Sequence, residues 1–229
     1  MQLDFEPFFR PYEQLVVTAD KAFAKIEKEF PDAVKCKIHC TECCHALFDL
    51  SLVEAIYIHH RFNEMLPDDR KSPILEKANK SDRLIYKIKR KAFKDFESGR
   101  SEADILSEMA MERVACPLLN DMGQCELYAF RPITCRLYGI PVDIGGVGRT
   151  CGKSGFKKGM SYPTVHLDMI HNKLHEISRQ LATSIQSKYS GLSEMLVPLS
   201  MALLTDYDET YLGTTDDSYP SDSENNEGR

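Results

Sequence analysis

Cysteine occurs eight times in this chain and only in two stretches. The first reads Cys36-Lys-Ile-His-Cys40-Thr-Glu-Cys43-Cys44, and the second carries Cys116, Cys125, Cys135 and Cys151. Three bonding fates compete for such thiols. Disulfides need an oxidising compartment. The opening MQLDFEPFFRPYEQ has neither the basic start nor the apolar run of a secretory signal, which predicts a cytoplasmic chain. Buried thiols acting as small apolar groups explain one or two cysteines, not four in nine residues. Metal ligation explains the clustering, because soft thiolates two or three residues apart converge on one ion after a short turn. All eight, Cys36, Cys40, Cys43, Cys44, Cys116, Cys125, Cys135 and Cys151, are therefore candidate metal ligands.

The rest of the chain reads as helix. An amphipathic stretch runs from about Tyr12 to Phe30 and stops at Pro31, which has no N–H to continue the ladder. A second opens at Ser51 with Glu54 three residues on, the spacing of a capping box, and ends near Pro67. A third, Pro73 to Phe96, places Ile74, Ala78, Ile85, Ile88, Ala92 and Phe96 on one stripe and ends at Gly99. Ser101 and Asp104 open a shorter helix to about Val114, and a last one covers roughly Val165 to Lys188. The expected fold is mainly α: one domain over residues 1–205, its helices packed around a loop-rich cysteine metal centre spanning 35–155. Cysteine is expected in none of the helices.

Residues 206–229 hold eight carboxylates against one Arg229, more than the whole net charge of −6. They lack apolar periodicity and read as a disordered acidic tail. Asp206-x-Asp208 does not open a calcium loop, because the sixth position is Tyr211 where the loop needs glycine. Residues 1–205 are then close to neutral, which argues against nucleic acid as a partner. No apolar run approaches the roughly 20 residues of a membrane span.

The Cys40-x2-Cys43-Cys44 run, the Ser51 helix with Glu54 and Ala55, Cys116-Pro-Leu-Leu, and Cys125-x-Leu-Tyr-x-x-Arg131-Pro132-x-x-Cys135-Arg136-x-Tyr138 together resemble the YkgJ-type cysteine-cluster family. That family, with its CxxCxxCC signature, is described as zinc- or iron-chelating. The resemblance covers roughly Lys35 to Cys151, and it departs at one place: three residues, not two, separate Cys36 from Cys40. It implies a metal site and no settled reaction. A similar cluster in flagellin lysine methylases makes methyl transfer a conceivable variant.

Eight thiolates suit two four-ligand sites, or one cluster with spares. The side chains of adjacent Cys43 and Cys44 diverge, so they more easily serve different ions, or different irons of one cluster. Zinc held by four cysteines would be structural, whereas a [4Fe–4S] cluster would add redox chemistry, and spacing alone does not choose. Either carries a site charge of about −2. Arg131 and Arg136 flank Cys135 and are candidates to offset it; the plainer role for Arg131 is a turn with Pro132 and a surface ion pair.

Other features carry less. Gly146-Val-Gly148-Arg-Thr-Cys151-Gly152-Lys153-Ser154 lacks the first glycine of a phosphate loop and reads as a flexible loop delivering Cys151. Asp168, His171 and His175 share a helical face that reads as solvated surface rather than a ligand set. His39 and His45 bracket the first cysteine stretch, and His39 would be a substitute ligand for Cys36. Ten basic residues against four acidic ones over 71–100 describe a solvated helix face, or a dock for an acidic partner or the tail.

Overall fold

A computed structural model describes residues 3–214. The chain is mainly helical, with α1 Glu6–Glu29, α2 Leu52–Met65, α3 Asp68–Glu97, α4 Glu102–Met109, α5 Ile133–Leu137, α6 Leu167–Ser184, α7 Leu199–Leu204 and α8 Glu209–Leu212. Short strands β1 Asp49–Ser51, β2 Val142–Ile144, β3 Val147–Arg149, β4 Val165–His166 and β5 Leu196–Pro198 connect them. β1 pairs antiparallel with β5, and β2 lies between antiparallel β3 and parallel β4. Among the described residues, no helix is long and apolar enough to cross a membrane.

α2 is the centre of the core. It buries Leu52, Val53, Ala55, Ile56, Tyr57, Ile58 and Phe62, so its first two turns are enclosed on every side and pack on several neighbours. α1, α6 and α7 supply those neighbours. The predicted capping box is present: Ser51 caps the helix, and Glu54 accepts from the Ser51 N–H at 3.5 Å. Another orphan donor at this helix end, the Val53 N–H, is answered from α6 by the buried Ser178 hydroxyl at 3.2 Å.

Several boundaries differ from expectation, each for a local reason. α1 starts at Glu6, before the predicted Tyr12, because Pro7 stands in the first turn, where no N–H is needed. The helix also runs through Pro11, since Phe9 and Tyr12 gain ring contacts with Tyr57 at 5.1 and 4.7 Å. It ends at Glu29, ahead of Pro31 as expected. α3 begins five residues before Pro73, with Asp68 and Asp69 in the turn that favours negative charge. Its apolar stripe is buried only as far as Ile85, and Phe96 is 59% exposed. α4 stops at Met109 instead of Val114, because residues 113–116 pair with the first cysteine stretch.

The supposed tail is also corrected. Residues 206–214 are not disordered: Asp208 caps α8 by accepting from the Tyr211 N–H at 2.8 Å, and Tyr207 and Leu212 are buried. Two apolar side chains close enough to the core to bury outweigh the local excess of carboxylates. The remainder of the expected tail, 215–229, lies outside the described residues. Cysteine is not absent from helices either, since Cys135 sits in α5 and Cys43 and Cys44 open a single 3₁₀ turn.

Candidate metal centre

Two stretches some seventy residues apart meet edge to edge. Ala46 bridges Arg113, the Val114 N–H donates to the His45 carbonyl at 3.2 Å, and the Cys116 N–H donates to the Cys44 carbonyl at 2.7 Å. The first stretch turns tightly, with His39 at φ +71° and the Cys44 N–H bonded to the Thr41 carbonyl at 3.0 Å. Its exit is held by the His45 ring, whose Nδ1 lies 2.9 Å from the Thr41 carbonyl.

Cys116 and Cys125 are brought together by a small knuckle. Leu119 pairs with Cys125, and the Glu126 N–H donates to the Leu118 carbonyl at 2.8 Å. Asn120 organises the tip, its Oδ1 accepting from the Met122 and Gln124 N–H groups at 3.1 and 2.9 Å, as short polar side chains do in turns. α3 grips the knuckle through Ser81, which donates to the Ala115 carbonyl at 2.8 Å, and Lys77, which donates to the Leu119 carbonyl at 3.2 Å.

Cys135 rides on α5, and buried Glu54 sets that helix in place. Its Oε1 accepts the Ile133 N–H at 3.2 Å, so one carboxylate serves the starts of both α2 and α5. Burial raises the Glu54 pKa, against the pull of these N–H donors. From the other side, Arg136 donates to Asp20 of α1 at 2.7 Å and to the Arg131 carbonyl at 2.8 Å. Arg136 thus anchors α5. Arg131 stacks on the Tyr128 ring at 4.0 Å and lies within electrostatic reach of Cys43 and Cys125. Of the two arginines, Arg131 is the one whose charge bears most on the thiols.

Cys151 lies in a loop two residues past the β2–β3 hairpin. Gly145 and Gly146 both have positive φ, +59° and +77°, as a two-residue turn between β2 and β3 requires. Beyond it the Gly155 N–H donates to the Ala33 carbonyl at 2.7 Å, and Phe156 packs between Phe30 and Tyr162. Lys153 and Arg113 both pair with Glu42, at 2.5 and 3.0 Å. One carboxylate between Cys40 and Cys43 therefore ties down the two segments that carry Cys116 and Cys151.

Seven of the eight cysteines, all but Cys151, line a single cavity of about 650 Å³ whose wall also includes Phe23, Phe48, Ile85, Leu118 and Leu199. All eight are unbridged. The thiols act on one another. Cys135 and Cys44, with nearby Arg131, lower the Cys43 pKa, whereas Cys43 and burial push Cys135 and Cys44 up. Burial, with Cys40 and Cys151 nearby, raises Cys36 to about 12, and burial beside Cys125 raises Cys116 to about 12.

As donors these side chains suit a soft metal. Their present spacing is open: among the described residues, no group of three or more His, Cys, Asp or Glu side chains is arranged to hold an ion as it stands. His39 Nδ1 lies 3.1 Å from the Met122 carbonyl, and the Asp168 carboxylate accepts the Gly145 N–H at 2.8 Å, so both have structural employment. His171 and His175 lie on the exposed face of α6. The basic stretch 71–100 spends several of its cations on pairs within the chain, as in Lys89 to Asp49 at 2.7 Å and Arg100 to Glu108 at 2.6 Å.

Sequence reasoning passed over Glu42 and read Asn120 and Gly139 only as turn formers. Glu42 was legible only as an acidic residue inside a cysteine loop, and its partners come from distant chain. Any side chain at Gly139 would meet the Cys36 Sγ, which occupies the place of its Cβ. No protein-family profile, curated protein or solved structure matches this chain.

Proposed function

We propose that this chain is a metal–thiolate protein, holding zinc or an iron–sulfur cluster through its clustered cysteines in a structural or chelating role. One observation carries this reading: thiols from Cys36–Cys44, Cys116, Cys125 and Cys135 face one cavity, unbridged. Thiols this dense repel one another once ionised, and a divalent ion or cluster is the usual partner that offsets such charge. Binding would turn the side chains about their Cα–Cβ bonds onto a common point and release protons. Arg131 would stay beside the thiolates, and Glu54 and Arg136 would keep α5 in register. Free thiols in such number also suit a reducing compartment such as the cytoplasm.

Anaerobic purification followed by elemental analysis and a visible spectrum tests the proposal. Stoichiometric zinc in a colourless sample, or iron with sulfide in a brown one, supports it. Protein that takes up neither metal with its thiols reduced overturns it. Cys135→Ser and Cys40→Ser should each lower metal content and thermal stability together, the stability by roughly several kcal/mol where binding and folding are coupled.

A second reading, an iron–sulfur redox protein or an enzyme related to protein lysine N-methylation, is favoured by the size of the cavity. Its volume of about 650 Å³ and apolar far wall are of the order of a small-molecule site, roughly 300–1,000 Å³. An iron and sulfide content would turn the proposal toward it.

A further inference from the structure

We infer that the eight cysteines divide into two four-thiolate sites: an inner one of Cys44, Cys116, Cys125 and Cys135, and an outer one of Cys36, Cys40, Cys43 and Cys151. The two meet at the Cys43–Cys44 peptide. The inference rests on the metal reading above and sharpens it to a stoichiometry.

The inner group is built by backbone pairing. The Cys116 N–H is bonded to the Cys44 carbonyl at 2.7 Å, the knuckle returns Cys125 beside Cys116 through its pairing with Leu119, and α5 brings in Cys135. Beyond Cys43, the thiols acting most strongly on Cys44 and Cys135 are Cys116 and Cys125.

The outer group is tied by different chain. The Gly155 N–H bond to the Ala33 carbonyl, 2.7 Å, lays the Cys151 loop along the residues leading into Cys36. Lys153, two residues past Cys151, pairs with Glu42 between Cys40 and Cys43. Cys36 accordingly has Cys40, Cys151 and Cys43 as its thiol neighbours. Gly139 leaves room for the Cys36 sulfur, which a larger residue would push away.

Cys43 is the thiol within reach of both groups, close to Cys135 and Cys44 and also to Cys36. Its place in the chain assigns it outward: the x3 and x2 spacings of Cys36, Cys40 and Cys43 suit one short ligand loop, while the backbone holds Cys44 to Cys116. Charge is provided on both sides, by Arg131 near Cys125 and by Lys153 and Arg113 around Glu42.

Titration of the reduced, metal-free full chain with cobalt(II) under argon reads the number of sites from thiolate-to-cobalt absorption. The native chain should saturate at two equivalents. Cys36→Ser/Cys151→Ser should saturate at one, and so should Cys116→Ser/Cys125→Ser. A native endpoint at one equivalent, or an outer double variant that still takes two, overturns the division while leaving metal binding intact. A native chain without any thiolate-to-cobalt band overturns the metal reading itself. Should a variant fail to fold, alkylation mapping of the native zinc-loaded chain decides: all eight cysteines protected supports two sites. Cys36, Cys40, Cys43 and Cys151 reacting as free thiols beside four protected ones overturns it.

Discussion

The helical body around α2 and the cysteine-lined cavity beside it are held by different forces. Around α2, Leu50, Leu52, Ile58, Phe62 and Leu181 are fully out of water, and non-directional apolar burial does most of the work. Around the cavity the chain is loop and knuckle, and its geometry depends on single polar groups: Glu42 and Glu54, which each satisfy two segments, Ser81, which ties α3 to the knuckle, and Asn120, which closes its tip. A core of the first kind tolerates small changes anywhere and loses stability in proportion to volume. A centre of the second kind keeps its stability through most substitutions and loses its shape through a few. The lesson is that stability and site geometry should separate under mutation.

The largest expected effect tests the body. Phe62→Ala removes a buried ring from the centre of the core and should cost about 3–5 kcal/mol in denaturant melts. The metal content of the remaining folded protein should be unchanged; parallel loss of both would break the separation. Gly139→Ala comes next, at about 1–3 kcal/mol, because the new methyl meets the Cys36 sulfur. Unlike Phe62→Ala it should also displace Cys36, seen as faster alkylation of that thiol in the folded state.

Glu42→Gln should be milder in stability than either. Its ion-pair partners Lys153 and Arg113 are exposed, so both pairs are screened by salt. The hydrogen bond from Lys153, aided by Arg113, holds the Glu42 carboxyl below its ordinary range. Its contribution is therefore present above the unfolded carboxylate pKa and lost as pH falls through the lowered folded value. The Gln variant should show a flatter acid limb in melting temperature against pH, together with a looser Cys151 loop by hydrogen exchange. An unchanged acid limb would place that pH dependence elsewhere. Smallest of all, His171→Ala, on the exposed face of α6, should leave both metal content and melting temperature where they were.

Much of the body was legible in the residue order. The capping box at Ser51 and Glu54, the stop before Pro31, the stripe of α6 and the glycine past α3 are local signals, and local hydrogen bonding and side-chain period decide them. The concentration of cysteine in two stretches was equally plain. What residue order did not reveal was where helices yield to long-range pairing. α4 ends early because residues 113–116 find a partner strand in the first cysteine stretch, and 206–214 order because Tyr207 and Leu212 reach the core.

Sequence alone determined that this chain is mainly helical and that its thiols are gathered for one region, because period, capping and clustering are properties of neighbours along the chain. Tertiary structure decided which thiols face which, that Glu54 joins the helix start at Ser51 to the one carrying Cys135, and that Gly139 must leave space for Cys36. Those are contacts between residues tens of positions apart. They follow from the closing of loops whose path no local preference encodes.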